Sequence, residues 1–329
     1  MQLTASDWPI SAALLQFPSR RIDGTDAQRG DPDVWRSVFR EVADAGFDHL
    51  DLTDSWVRPG DLSATQLDEF AGAANAENID VSVISVARRS VIDPIDGVTN
   101  LAYAHRTIEA AAHLQVSTVC LGLHRPLTEL QRKQLWFWTV EGARDADDQQ
   151  TWDLAVARFA ELGAHAADLG IVLSLELYED TLLGTADSAV RLITDIDRSN
   201  VGLNPDIGNL VRLHRRVEDW REIAAKTLPY ANYWQVKNYA RDEDPSTGAV
   251  SCVPSYLEIG FIDYREAVRM ALSSGFQGVI CTEHYGGDGL SVSAANREYL
   301  RRILPQRADY RAGTSLVDQP SVHTGVLAP

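Results

Sequence analysis

The chain has 329 residues, 45% of them hydrophobic, which is long for one average domain and ordinary for a closed α/β barrel. Its net charge of −17 sets up a field that repels nucleic acid and anionic membrane. The three cysteines, Cys120, Cys252 and Cys281, lie far apart with no C-x-x-C spacing, which argues against a disulfide framework or a thiolate zinc site.

In chain order, residues 10–17 (ISAALLQF) predict a first strand. Residues 34–45 (VWRSVFREVADA), with apolar positions three and four apart, predict a first helix. A strand at 47–53 and an Ala-rich helix at 62–76 follow, then a strand at 81–87 and a second Ala-rich helix at 100–114. A strand at 117–123 leads to a long amphipathic helix at 152–169. The remaining pairs are strand 171–177 with helix 185–196, strand 201–206 with helix 217–226, strand 232–238 with helix 264–273, and strand 278–283 with helix 293–304. Several of the strands are nearly continuous in Val, Ile and Leu, as suits parallel strands buried on both faces. Gly46, Gly170 and Gly275 each stand just before the next strand, where a left-handed residue stops a helix.

Strict strand–helix alternation predicts parallel βαβ units, and eight units predict closure into a (β/α)₈ barrel spanning residues 1–305. The alternative is a doubly wound sheet, but no G-x-G-x-x-G or P-loop spacing supports it. Two connections, 125–150 and 239–261, are long. Both follow strands, so both rise on the face that carries the strand C-termini, where long loops serve as lids or partner contacts. Residues 306–329 are polar and rich in Gly, Pro and Ser; they are expected to be disordered or to contact a partner. Residues 1–17 lack the basic start and apolar core of a signal peptide, and no apolar run nears the ~20 residues that span a membrane. The cytoplasm is therefore the expected location.

In a closed barrel, side chains at the strand C-termini converge on one pocket. Strand five ends in Glu176, strand six in Asp206, strand seven in Gln235, Lys237 and Asn238, and strand eight in Glu283 and His284. A single carboxylate at a strand end is more often a helix cap or an ion-pair partner. Three gathered in one small volume differ: two bare carboxylates ~4 Å apart repel by ~4 kcal/mol even at an effective dielectric of ~20. A divalent cation resolves this, and four oxygen donors, Glu176, Asp206, Gln235 and Glu283, suit Mn²⁺ or Mg²⁺ better than zinc.

The order Glu176, then NPDIGN around Asp206, then QVKN from Gln235, then TEH around Glu283 resembles the sugar phosphate isomerase/epimerase superfamily, the xylose-isomerase-like TIM barrels. The resemblance runs from about Ile10 to Leu304. It implies one metal held by Glu, Asp, His and Glu from the later strands. Glu176, Asp206 and Glu283 match; Gln235 stands where the family has His, and Asn209 replaces a common His three residues after the Asp. The stretches YWQVKNYARDED and TEHYGGDGLSVSAANREYLR are similar to the large subunit of bacterial C-glycoside deglycosidases. That resemblance implies a Mn²⁺-assisted lyase that cleaves the carbon–carbon bond of a 3-oxo C-glycoside, with a small β-rich second subunit in an oligomer.

The chemistry such enzymes need assigns roles to further residues. A base must remove the proton beside the keto group, and His124, ending strand four, is favoured over His284. Lys237 either polarises a substrate oxygen or neutralises the carboxylates. Arg88, with Arg89 beside it, is a candidate for a substrate hydroxyl or carboxylate. Trp136 and Trp138 are candidates for stacking on a sugar or flavonoid face, and Asn209 joins the substrate-binding group. His49, His105, His113, His165, His214 and His323 carry no expected chemistry. An isomerase or epimerase of a keto sugar is the rival activity, and a non-catalytic sugar-binding barrel a further one. A DNA-repair endonuclease is disfavoured, because it needs a His-rich zinc site and a basic face.

Overall fold

The computed structural model describes residues 2–321. Its elements begin β1 (Ile10–Ala13), α1 (Pro32–Asp44), β2 (His49–Thr53), α2 (Ala64–Ala76), β3 (Asp80–Ser85), α3 (Gly97–His113), β4 (Thr118–Leu121), α4 (Glu129–Arg132) and α5 (Gln149–Asp168). They continue β5 (Val172–Glu176), α6 (Ala186–Ile196), β6 (Val201–Asn204), α7 (Ile207–Val211), α8 (Trp220–Thr227) and β7 (Trp234–Val236). The chain then forms β8 (Asn238–Glu243), β9 (Val250–Ser255), α9 (Tyr264–Ser273), β10 (Ile280–Thr282) and α10 (Gly289–Ile303). Eight strands pair in parallel in the order β6-β5-β4-β3-β2-β1-β10-β7.

The barrel closes between β6 and β7 by a parallel bridge, Leu203 to Ala231, and by one side chain. Asn204 Oδ1 accepts the Gln235 backbone N–H at 2.8 Å, replacing the ladder bond that a tilted, short strand fails to make. The (β/α)₈ expectation holds, with strands shorter than the apolar runs that announce them. β1 stops at Ala13, where a 3₁₀ turn, Leu14–Gln16, takes over.

Helix starts follow capping side chains more closely than apolar periodicity. Asp31 accepts the Asp33 N–H ahead of Pro32 at the first helical position, and Ser63 and Gln66 form a reciprocal capping box. Asp148 caps α5 through the Thr151 N–H and Asp288 caps α10 through the Ser291 N–H. Both helices therefore begin earlier than their apolar stripes predict. Trp35, Phe39, Trp56 and Phe70 cluster between α1, α2 and the sheet, Trp35–Phe70, Phe39–Trp56 and Phe39–Phe70 edge to face at 5.0–5.7 Å between ring centroids. Among the described residues, no helix is long and apolar enough to cross a membrane.

Two expectations change. The 239–261 connection is not an open loop: it starts as an antiparallel hairpin, β8 against β9, turned at Asp244 to Gly248. The segment after Gln306, expected to be disordered or to contact a partner, is ordered on its own barrel as far as Ser321; residues 322–329 lie outside the described residues. It crosses the base, where Leu316 N–H donates to Pro229 O (2.9 Å) and Asp318 N–H to Ser199 O (2.7 Å), and Val317 is buried. Gly275 permits this: it sits at φ 86°, and a Cβ there would run into the Ser315 backbone. A Gly-, Pro- and Ser-rich segment need not be loose when its backbone groups find fixed partners.

Candidate metal and catalytic site at the barrel mouth

Barrel closure brings Asp206, Lys237 and Glu283, from the ends of three strands, into contact. Asp206 stands at the N-cap of α7 but makes no capping hydrogen bond, and it is fully buried. Its Oδ2 lies 2.7 Å from Lys237 Nζ, which also lies 2.8 Å from Glu283 Oε1; all three side chains are buried. Apart from this ion pair, both Asp206 oxygens are buried without a hydrogen-bond donor. Glu176 Oε1 accepts from Asn209 Nδ2 (2.8 Å), and its Oε2 lies 4.0 Å from His124 Nε2.

Asp206 and Glu283 therefore share one buried ammonium, and Glu176 lies within electrostatic reach of all three. Burial pushes the Glu176 carboxyl up to about 8, and the charges of Asp206 and Glu283 push the same way against Lys237. Burial raises Asp206 to about 6, with Glu283 adding to it and Lys237 opposing. For Lys237, burial alone favours the neutral amine, but Asp206 and Glu283 hold the ammonium well above the usual lysine range.

Gln235 is more committed than its strand-end position predicts. Its Oε1 accepts from Asn204 Nδ2 (2.7 Å), and its Nε2 donates to Asp51 Oδ2 (3.1 Å). One lone pair of Oε1 remains for an ion. Asp51 also accepts from Tyr233 OH (2.6 Å) and Ser85 Oγ (2.8 Å), and burial lifts its carboxyl to about 6. This network inside the barrel is absent from the sequence reading; its one signal is a carboxylate in the middle of an apolar strand, HLDLT.

The donors fit a hard divalent cation in charge and in chemistry. The excess negative charge and the orphaned Asp206 Oδ1 are what such an ion would satisfy. Among the described residues, no three His, Cys, Asp or Glu side chains already stand in a ligating arrangement, and the Lys237 ammonium sits between Asp206 and Glu283.

His124 is buried with its ring stacked on Tyr178 at 4.5 Å, its Nδ1 unpartnered. A Cβ at Gly122 would strike this ring, so only glycine leaves it room. Burial, then the charges of Arg88, Lys237 and Arg212, hold its pKa well below 6.5, so the imidazole is neutral near pH 7. His284 is half-buried beside Glu283, and burial lowers its pKa too.

Asn209 is fully buried and donates to Glu176 and to Leu177 O, so it orients a carboxylate rather than reaching a substrate, as had been expected. Trp136 and Trp138 stack on each other at 5.1 Å, and Phe137 and Tyr285 close around Trp138. The connection after β4 thus lies over the mouth. Arg88 donates to Tyr178 OH (3.0 Å) and Arg125 O (3.1 Å), while Arg89 is occupied by Asp54 at 2.8 Å. Sequence reasoning missed Arg212, the C-cap of α7. It is fully buried against Glu179, with rings of Phe137, Trp138, Tyr178 and Tyr285 within 4.8–5.7 Å.

No curated protein matches this sequence. A solved protein from Mycobacterium smegmatis, in complex with magnesium, is 46% identical over 92% of this chain and 98% of its own, with a TM-score of 0.88. The E. coli 3-keto-D-glucoside 4-epimerase (16% identity, 90% and 99% coverage, TM-score 0.62) shares the fold. So does a D-psicose 3-epimerase from Clostridium cellulolyticum H10 (16%, 90% and 95%, TM-score 0.59). The family model described as xylose isomerase-like TIM barrel matches residues 39–303, and the chain belongs to that family.

Proposed function

We propose that this protein is a divalent-metal-dependent lyase that cleaves the carbon–carbon glycosidic bond of a 3-oxo C-glycoside. The observation that carries the reading is the buried pair Asp206 and Glu283 on one ammonium, with the Glu176 carboxylate in electrostatic reach, so that the carboxylates outnumber the cation among them. Glu176, Asp206, Glu283 and the free lone pair of Gln235 would hold Mn²⁺ or Mg²⁺, in keeping with the magnesium found in the Mycobacterium smegmatis relative. Such an ion would supply Lewis-acid charge to a keto oxygen.

His124 takes the C2 proton on its neutral imidazole, held in plane by Tyr178. The C1–aglycone bond then breaks with its electron pair leaving on the aglycone carbon. That carbon takes up a proton from the imidazolium of His124 or from His284. The products are an unsaturated 3-keto sugar and the free aglycone. Lys237, held as an ammonium, donates toward substrate oxygen or keeps the carboxylates neutralised.

The resemblance of the 233–244 and 282–301 stretches to C-glycoside deglycosidases supports this reading, as does the presence of Gln235 and Asn209 in place of two expected histidines. A small β-rich second subunit in a hetero-oligomer belongs to the same reading. Val253, Tyr256, Ile259 and Phe261, exposed in and after β9, are its candidate contact. The second reading is an isomerase or epimerase of a keto sugar, favoured by the epimerases that share the fold. A non-catalytic sugar-binding barrel is the third, and chelation discriminates against it.

The test is direct. With Mn²⁺ present, and after co-expression with any small β-rich neighbour, a 3-oxo C-glucoside should release free aglycone, and a chelator should stop the release. Turnover of a ketose with the C-glycoside left intact would overturn the lyase reading in favour of the epimerase one.

A further inference from the structure

Two arginines at the barrel mouth are held in costly states. Arg88 lies in the left-handed region at φ 56°, a conformation that strains a non-glycine residue. Arg212 is fully buried; its Nη2 donates to both Glu179 oxygens at 2.9 Å, but its Nε and Nη1 are buried without a partner. Each such orphaned donor has lost its water without gaining a partner, which costs stability.

Both guanidinium carbons lie 4.8 Å from the centroid of one ring, that of Phe137. Phe137 is half-buried at the start of a 3₁₀ turn, Phe137–Thr139, in the connection after β4. Its π face attracts both cations yet accepts no strong hydrogen bond, so the Arg212 donors stay unsatisfied. Glu179 balances one of the two charges. A small surface cleft beside Arg88 is lined in part by Arg88, His124, Arg125, Tyr178 and Glu179.

We infer that Arg88 and Arg212 form the site for an anionic group, a carboxylate or a phosphate, on the substrate, and that Phe137 fills this site until the anion displaces it. The unpartnered Nε and Nη1 of Arg212 match an oxyanion's lone pairs in a way that an aromatic ring does not, and Arg88, its Nη1 and Nη2 already on Arg125 O and Tyr178 OH, adds its charge. The site lies beside His124, whose ring shares Tyr178 with both arginines. An anion held there places its sugar over the proposed base and carboxylates. The assignment rests on the barrel mouth being the sugar site.

Calorimetric titration of the intact protein with D-glucuronate, D-glucose 6-phosphate and D-glucose tests it, alongside Arg88→Gln and Phe137→Ala. At least one anion should bind roughly 10-fold more tightly than glucose. The anion that binds identifies the group as carboxylate or phosphate. Phe137→Ala should tighten anion binding several-fold and leave glucose unchanged, and Arg88→Gln should erase the preference. Tryptophan emission from Trp136 and Trp138 should shift on anion binding as Phe137 leaves. Equal affinity for all three sugars, or a preference that survives Arg88→Gln, would overturn the assignment. Mg²⁺ titration of the same protein separates the two readings. Binding of Mg²⁺ without anion preference sinks this inference alone, and anion preference without Mg²⁺ binding sinks the metal site alone.

Discussion

The Lys237 ammonium touches Asp206 and Glu283 at once, and all three groups are out of water. Lys237→Met would leave two buried carboxylates facing each other. Breaking a buried pair by removing one partner costs about 3–5 kcal/mol, and a divalent ion should recover most of it. In chelator, the variant should melt well below the wild type. With Mg²⁺ the gap should narrow, because the ion takes over the ammonium's electrostatic task. A gap of equal size in both conditions would show that ion and ammonium serve different groups. Asn209→Ala removes the donor that orients Glu176 while leaving every ligand carboxylate in the sequence unchanged. Loss of such supporting hydrogen bonds lowers metal affinity by roughly 10–100-fold, which calorimetry reads directly. The carboxylates were legible in the sequence because strand position alone determines where a strand-end residue goes once the barrel closes. Gln235 was half-legible: its place was clear, but its bond to Asp51 spans 184 residues and leaves no local pattern. Arg212 was illegible for the same reason, since only the folded chain shows the four rings around it.

Helices and strands were read from apolar spacing, and their ends were set by other forces. Asp148 and Asp288 start α5 and α10 because an N-terminal turn gains more from a side-chain acceptor than from an apolar contact. The β8–β9 hairpin was read as a loop because its strands, NYARDE and VSCVPS, carry too little alternation and include a proline on what becomes an edge. Its turn is organised by Asp244, whose carboxylate accepts from Ser246 N–H (2.8 Å), Ser246 Oγ (2.6 Å) and Thr247 Oγ1 (2.8 Å). The Ser246 hydroxyl first, then that of Thr247, lower this carboxyl to about 2. A carboxyl with a depressed folded pKa stabilises above its unfolded value, and that contribution is lost as pH falls through the folded one. Amides at 244–249 should therefore keep their exchange protection down to about pH 4 and lose it toward pH 2. Asp244→Ala should show the unprotected rates at every pH. A protection profile identical in wild type and variant would assign the turn's order to the backbone alone.

At the scale of the whole barrel, stability and chemistry occupy opposite ends of the strands. The mouth concentrates buried charge, orphaned donors and a strained arginine, all of which cost stability. The base carries the compensating order. There the 306–321 segment ties the turns before β6, β7 and β10 together through Ser199, Pro229, Ala231 and Gln277. Ending the chain at Gln306 would free those backbone acceptors to water and expose what Val317 covers. Each lost hydrogen bond is worth about 1 kcal/mol, and the released segment regains conformational entropy. The net loss should be about 1–3 kcal/mol, a drop of a few degrees in Tm. Because the strap touches none of the strand C-termini, Mg²⁺ affinity and anion preference should survive the truncation unchanged. If either falls together with Tm, base and mouth are coupled through the strands. The polar layer of Asp51, Tyr233 and Gln235 inside the barrel would then be the route by which order at one end reaches the ligands at the other.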